Sequence, residues 1–167
     1  MLLANDGVRQ RLSPSRLAAL AQAAASRHDW AAQVQYSQGE RWYQRLEQGD
    51  NHEVWLLSWL PGQRTGFHDH CGSAGAFAVV QGGLREYTSS RGLGAGGRGT
   101  GLPTGTDFAA GRVRSFGPAH VHEVVNASTG PAVSIHAYSP PLAGMRRYEL
   151  TSSGLMLAAV ETAGERW

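Results

Sequence analysis

The chain contains no lysine: all 15 of its basic residues are arginine. Against 13 acidic residues this leaves a formal net charge of +2, which provides no strong field for nucleic acid or an acidic membrane. Without lysine there is no Gly-Lys-Ser/Thr, so the glycines crowding residues 89–111 are not a phosphate-binding loop. There is one cysteine, Cys71, and an intrachain disulfide is therefore excluded, as suits a reducing compartment. No apolar run approaches the length of a membrane span, and residues 1–6 lack a charged segment followed by an apolar one. The expectation is a cytoplasmic monomer with neither a membrane nor a nucleic-acid partner.

What is present is turn-rich. The 22 glycines punctuate short apolar runs over most of the length, and 167 residues suffice for one domain with a substantial core. Ser13-Pro14 opens a helix, with serine as cap and proline at the first helical position, and the Ala- and Leu-rich run 16–25 continues it. A short second helix is expected over 30–34. Beyond residue 41 the pattern turns to strands: 53–60, 75–80, 84–88, 113–116, 123–126 and 132–138. Runs 75–80 and 84–88 read as a hairpin about Gln81-Gly82-Gly83. Runs 148–150 and 155–160 read as a final hairpin, the latter also open to a helical reading. Residues 89–111 carry no periodic element and read as a long connection. The expectation is a single all-β domain over 1–167, a barrel over about 41–161 with an N-terminal helical segment over about 13–36.

His68 and His70 are two apart, so in a strand they share a face, and a third histidine from a neighbouring strand can complete a three-nitrogen site. The candidate is His122, with His120 as a rival on the same face. Three neutral imidazoles suit divalent iron, zinc, copper or nickel. On Fe(II) they leave room for an anionic thiolate and for dioxygen, while on zinc they can hold a hydroxide. Ser134, His136 and Tyr138 alternate along one strand. Either they form a relay on an inner face, where such groups must satisfy one another, or they are a solvent-facing stripe. Trp55 and Trp59 share a strand face and read as core or interface. His28 and His52 read as surface residues, and Asp69 as a group that orients its loop. Of the pairs Arg112/Arg114 and Arg146/Arg147, one can line a pocket.

Gly62, His68-Asp69-His70 and Gly82, then His122 with Asn126, resemble the paired motifs of cupin barrels. The glutamate of that pattern would fall at Ala74 or Gly75 and is missing. With Ser134 through Pro141 added, residues 43–141 resemble the cysteine dioxygenase family of thiol dioxygenases. The resemblance implies ferrous iron on His68, His70 and His122, and an outer relay of Ser134, His136 and Tyr138. It also implies a substrate carboxylate gripped by Arg45 beside Tyr43, with Arg41 as rival and Gln44 adjacent. The cysteine cross-linked to the relay tyrosine in animal members is Gly75 here, as in many bacterial members, so Tyr138 is expected unmodified. The implied reaction adds both atoms of dioxygen to the sulfur of a small thiol, L-cysteine by default. The alternatives are 3-mercaptopropionate or a bulkier sulfur-bearing histidine derivative, for which Gly75 could make room. A cupin without oxygenase activity, whether hydrolase, isomerase or sensor, is the reading from another class.

Overall fold

The computed structural model describes residues 10–27, 29–89, 98–99 and 102–162. Helix α1 (Pro14–Ala25) starts where Ser13 Oγ accepts the Arg16 N–H. It is followed by a single-turn α2 (Trp30–Gln33). Twelve strands follow: β1 (Trp42–Gln48), β2 (Glu53–Trp59), β3 (Phe67–Asp69), β4 (Ala74–Gln81), β5 (Gly83–Ser89), β6 (Arg98–Gly99), β7 (Pro103–Ala109), β8 (Val113–Phe116), β9 (His122–Val125), β10 (Ala132–Ser139), β11 (Gly144–Thr151) and β12 (Gly154–Thr162). They form a five-stranded sheet, ordered β1-β2-β10-β4-β8, and a seven-stranded sheet, ordered β6-β12-β11-β3-β9-β5-β7.

The two faces of the five-stranded sheet bury different things. Its outer face carries Val54, Leu56, Ala76, Ala78, Val133, Ile135 and Ala137, which pack under Leu17, Ala21 and Ala24 of α1. Those helix residues recur with helical spacing, and two of the three are alanines, so the helix lies close on the sheet. The inner face and the seven-stranded sheet enclose Leu57, Trp59, Phe77, Val79, Leu84, Phe108, Phe116 and Val124. Strands buried on both faces read as continuous apolar runs, as β4 and β10 do.

Two expectations are corrected here, and the expected final hairpin is observed. β4 and β5 are consecutive and joined at Gly82, but they pair in different sheets: β4 with β10 and β8, β5 with β7 and β9. Gly82 has a φ of +69°, and a Cβ there would lie 2.5 Å from the Pro131 carbonyl oxygen. It is the corner where the chain crosses from one sheet to the other. The segment 89–111 is not an unstructured connection throughout, because β7 pairs along the whole of β5. Its Thr104 and Thr106 supply β-branched alternation, and Gly105 lies against the Tyr87 ring. The last run is a strand, not a helix: β12 pairs with β11 over its length.

Candidate metal centre and its surroundings

In the ladder of β3 and β9, His68 stands directly opposite His122. His70 lies one residue past the end of β3. Ring nitrogens of His68, His70 and His122 lie within 4.8 Å of one another, and all three side chains are buried. Hydrogen bonds settle which nitrogens face inward. His68 Nδ1 lies 2.9 Å from the Gly66 carbonyl oxygen and donates to it. His122 Nδ1 lies 2.7 Å from Glu86 Oε1 and donates to that carboxylate. Each Nε2 is thereby left deprotonated as an acceptor. His70 Nε2 is buried without a hydrogen-bond partner among the described residues. A buried polar atom left unpaired is costly, and a metal ion would satisfy three converging imidazole lone pairs. The donor set fits a divalent transition metal. Burial pushes all three imidazoles below their ordinary pKa, which keeps them neutral as metal ligands must be.

The rest of the histidine motif is structural. Asp69 points away, accepting from the Cys71 N–H (2.9 Å), Arg146 Nε and the Tyr148 hydroxyl (2.6 Å). Cys71 has a φ of +48° in this turn, and burial raises its thiol pKa. Asn126 is fully buried and donates to the carbonyls of Trp59 and Gly130, tying the end of β9 to the end of β2. His120 stacks on Phe116 and lies with Nε2 2.8 Å from Glu86 Oε1, outside the three-histidine cluster. His52, expected at the surface, is half-buried between Asn51 and Glu47. His28 lies outside the described residues.

On the facing wall, Ser134, His136 and Tyr138 of β10 are all buried, which removes the solvent-stripe reading. They face inward because Val133, Ile135 and Ala137 face α1. Trp59 Nε1 donates to Ser134 Oγ at 2.9 Å, and Ser134 Oγ lies 2.9 Å from His136 Nε2. His136 Nδ1 lies 3.1 Å from the Tyr138 hydroxyl. An indole can only donate, and His136 Nε2 is the other partner of Ser134 Oγ among the described residues, so Nε2 takes the single serine proton. Nδ1 then carries the imidazole proton and donates to the Tyr138 oxygen. The phenolic proton is left for the cavity. Trp59 was not expected in this chain of bonds. The sequence signal was its shared strand face with Leu57 and Trp55, opposite β10.

Burial lowers His136 to about 3 and raises the Tyr138 phenol above its ordinary value, so both are neutral at physiological pH. This has a consequence for the metal-free protein. Unfolded, an imidazole takes up its proton near a pKa of about 6.5. Between that value and about 3 the unfolded chain binds the proton and the folded His136 does not. Stability therefore rises with pH and is lost as pH falls below about 6.5. His68, His70 and His122 shift in the same direction and steepen the loss. Each such group contributes up to about 1.4 kcal/mol per pH unit. Denaturant unfolding from about pH 8 to about pH 5 will show a level upper end and a falling lower end. Constant stability across that range would contradict the neutral buried state.

Between the two walls lies a cavity lined by Arg41, Tyr43, Trp55, Leu57, Thr65, His68, His122, Val124, His136, Tyr138, Leu142, Met145 and Arg147. Arg45 is not among them: it is exposed, and its guanidinium lies 5.4 Å over the Trp55 ring, the residue it faces across β1 and β2. Arg41, which precedes β1, lies 4.9 Å over the Trp59 ring. Burial lowers Arg41 to about 10, still protonated at physiological pH, with the neighbouring Glu40 carboxylate acting against that shift. Arg147 also lines the cavity but is paired with Glu161 at 2.8 Å. Arg146 instead pairs with Asp69, and Arg114 with Glu86. Gly75, opposite Tyr138 across β4 and β10, makes no room for a ligand. A Cβ there would lie 2.5 Å from the Phe116 ring, which fills the space.

Comparison with known proteins agrees with this architecture. The chain resembles a solved protein of Thermus thermophilus at a TM-score of 0.57 and 19% identity, over 69% of this chain and 97% of that one. It also resembles a Klebsiella pneumoniae protein with a double-stranded β-helix domain, at 0.54 and 19%, over 77% and 93%. A cupin superfamily protein of Desulfitobacterium hafniense matches at 0.51 and 13%, over 65% and 85%. No curated protein matches the chain. The fold is a cupin barrel, the double-stranded β-helix, with a short N-terminal helix. The family model for cysteine dioxygenase type I matches residues 8–151, and the chain belongs to that family.

Proposed function

We propose that this protein is a thiol dioxygenase that holds ferrous iron on His68, His70 and His122. The reaction takes a small thiol carboxylate and O2 to the sulfinic acid, with both oxygen atoms ending on sulfur. The observation that carries the reading is the pairing of walls: three imidazoles converge on one, and a one-directional chain of donors ends at Tyr138 on the other. When bound, the iron supplies coordination positions at which a thiolate and dioxygen are brought together.

The chain's own residues do the rest. The Arg41 fork is suited to grip a carboxylate bidentately, and it lines the cavity where the other lining guanidinium, Arg147, is already bridged to Glu161. The Tyr138 hydroxyl directs its proton into the cavity, and His136 Nδ1–H behind it supports charge that builds on the phenolic oxygen. Leu57, Val124, Leu142 and Met145 keep the site apolar and strengthen those interactions. One observation favours 3-mercaptopropionate over cysteine. Among the described residues the lining contains two guanidiniums and no acidic side chain, so these offer no carboxylate to an ammonium group.

The test loads the protein anaerobically with iron and presents cysteine, 3-mercaptopropionate, cysteamine and a thiohistidine betaine. Oxygen uptake and sulfinate are followed, the latter by mass spectrometry. A thiol carboxylate is expected to be consumed with matching oxygen uptake. A charge-assisted bond is worth about 1.5–3 kcal/mol, so Arg41→Ala should cost that substrate about tenfold to more than a hundredfold in kcat/KM. Cysteamine should be little affected. Arg45→Ala, at an exposed position, should cost about twofold or less. No oxygen uptake with any thiol would move the protein to the non-oxygenase cupins.

A further inference from the structure

The glutamate missing from the cupin pattern at Ala74 and Gly75 has a counterpart one strand later. Glu86 lies on β5, where Leu84 and Glu86 are buried and their neighbours Arg85 and Tyr87 are less so. Across the ladder of β5 and β9, Thr88 faces His122 and Glu86 faces Val124, so Glu86 is the diagonal neighbour of His122. Only 2% of Glu86 is exposed, yet every bond it makes is charge-assisted or to an imidazole. Oε1 takes His122 Nδ1 at 2.7 Å and His120 Nε2 at 2.8 Å, while Oε2 takes Arg114 Nε at 3.0 Å. His68, by contrast, is oriented only by a backbone carbonyl, and His70 Nε2 has no partner among the described residues.

We propose that Glu86 is a positioning residue for the metal centre: clamped by Arg114 and His120, it holds His122 as the Nδ1–H tautomer with Nε2 turned to the metal. The inference rests on the three-histidine metal reading. Its physical content is a choice of place for a negative charge. A carboxylate in the coordination shell would occupy a position that substrate needs. The same carboxylate behind a ligand makes the imidazole a stronger donor and leaves that position open. Three donors converge on Glu86, so an amide cannot replace it. In Glu86→Gln the introduced NH2 would face one of those donors, and at least one of His122, His120 and Arg114 would lose its acceptor.

The test has two parts. In the metal-free wild type, long-range proton–nitrogen NMR will report the His122 proton on Nδ1. A proton on Nε2 would overturn the proposal without requiring any variant. In Glu86→Gln the tautomer should become mixed. Ferrous iron binding, measured anaerobically by competition with a chromophoric chelator, should then weaken about 10- to 100-fold. A Glu86→Gln protein that folds and binds iron as tightly as the wild type would overturn the proposal and leave the metal site standing. A wild type that binds no divalent metal would overturn both.

Discussion

His70→Ala will fold normally and fail to hold iron. In the metal-free protein the His70 ring contributes stacking on Phe116 and Tyr138, at centroid distances of 5.2 and 4.9 Å, but it also buries an unpaired nitrogen. Removing it leaves a cavity costing about 2–4 kcal/mol and relieves an unsatisfied group worth about 1–3 kcal/mol. The two nearly offset, so apo stability should change little. Metal affinity should not survive. A full structural zinc site is worth about 10–16 kcal/mol, so deleting one of three ligands costs on the order of a hundredfold or more. His120→Ala should retain most of the iron, because His120 lies outside the three-histidine cluster. Thermal unfolding with and without ferrous iron separates the cases. A His70→Ala protein that iron stabilises as much as wild type would break the ligand assignment.

Tyr138→Phe should bind iron, keep its fold and turn over slowly. The change removes one oxygen from the end of the bond chain and leaves the ring against His70. Loss of a positioned donor or proton-transfer group costs on the order of 10² in rate. The loss should fall on kcat more than on substrate binding, because the proposed carboxylate grip is a different side chain, Arg41. An unchanged kcat for every accepted thiol would reduce the β10 stripe to a structural network. Intact mass should show no loss of two hydrogens, since Gly75 has no sulfur with which to cross-link Tyr138.

The sequence disclosed what local spacing controls and concealed what pairing controls. His68 and His70 fall on one face by strand alternation alone, and α1 announces its cap at Ser13. The Ser134–His136–Tyr138 stripe was visible, but which face is dry depends on α1 packing against Ile135, a contact more than a hundred residues apart. Arg41 and Arg45 are both spaced evenly from Tyr43, and only the register with β2 distinguishes the guanidinium over Trp59 from the one at the exposed edge of Trp55. Gly82 reads as a tight turn from the sequence, which cannot tell a hairpin from a corner between sheets. Glu86 offered a local signal, a carboxylate in step with Leu84, but its partner His122 is 36 residues away.

Every metal-ligand candidate belongs to the seven-stranded sheet or its margin, whereas Trp59, Ser134, His136 and Tyr138 belong to the five-stranded one. An ion on the three histidines would therefore staple β3 to β9 within the seven-stranded sheet. A substrate with sulfur at that ion and its acid group at Arg41 would tie the two walls across the cavity, beside the Asn126 bonds that already join β9 to β2 at its end. Hydrogen exchange should register the two events separately, with iron protecting β3 and β9 and substrate protecting the seam. Under the proposed function, substitutions at Arg41, Tyr43 or Trp55 would alter the acid-binding side of the cavity while leaving the three-histidine wall untouched.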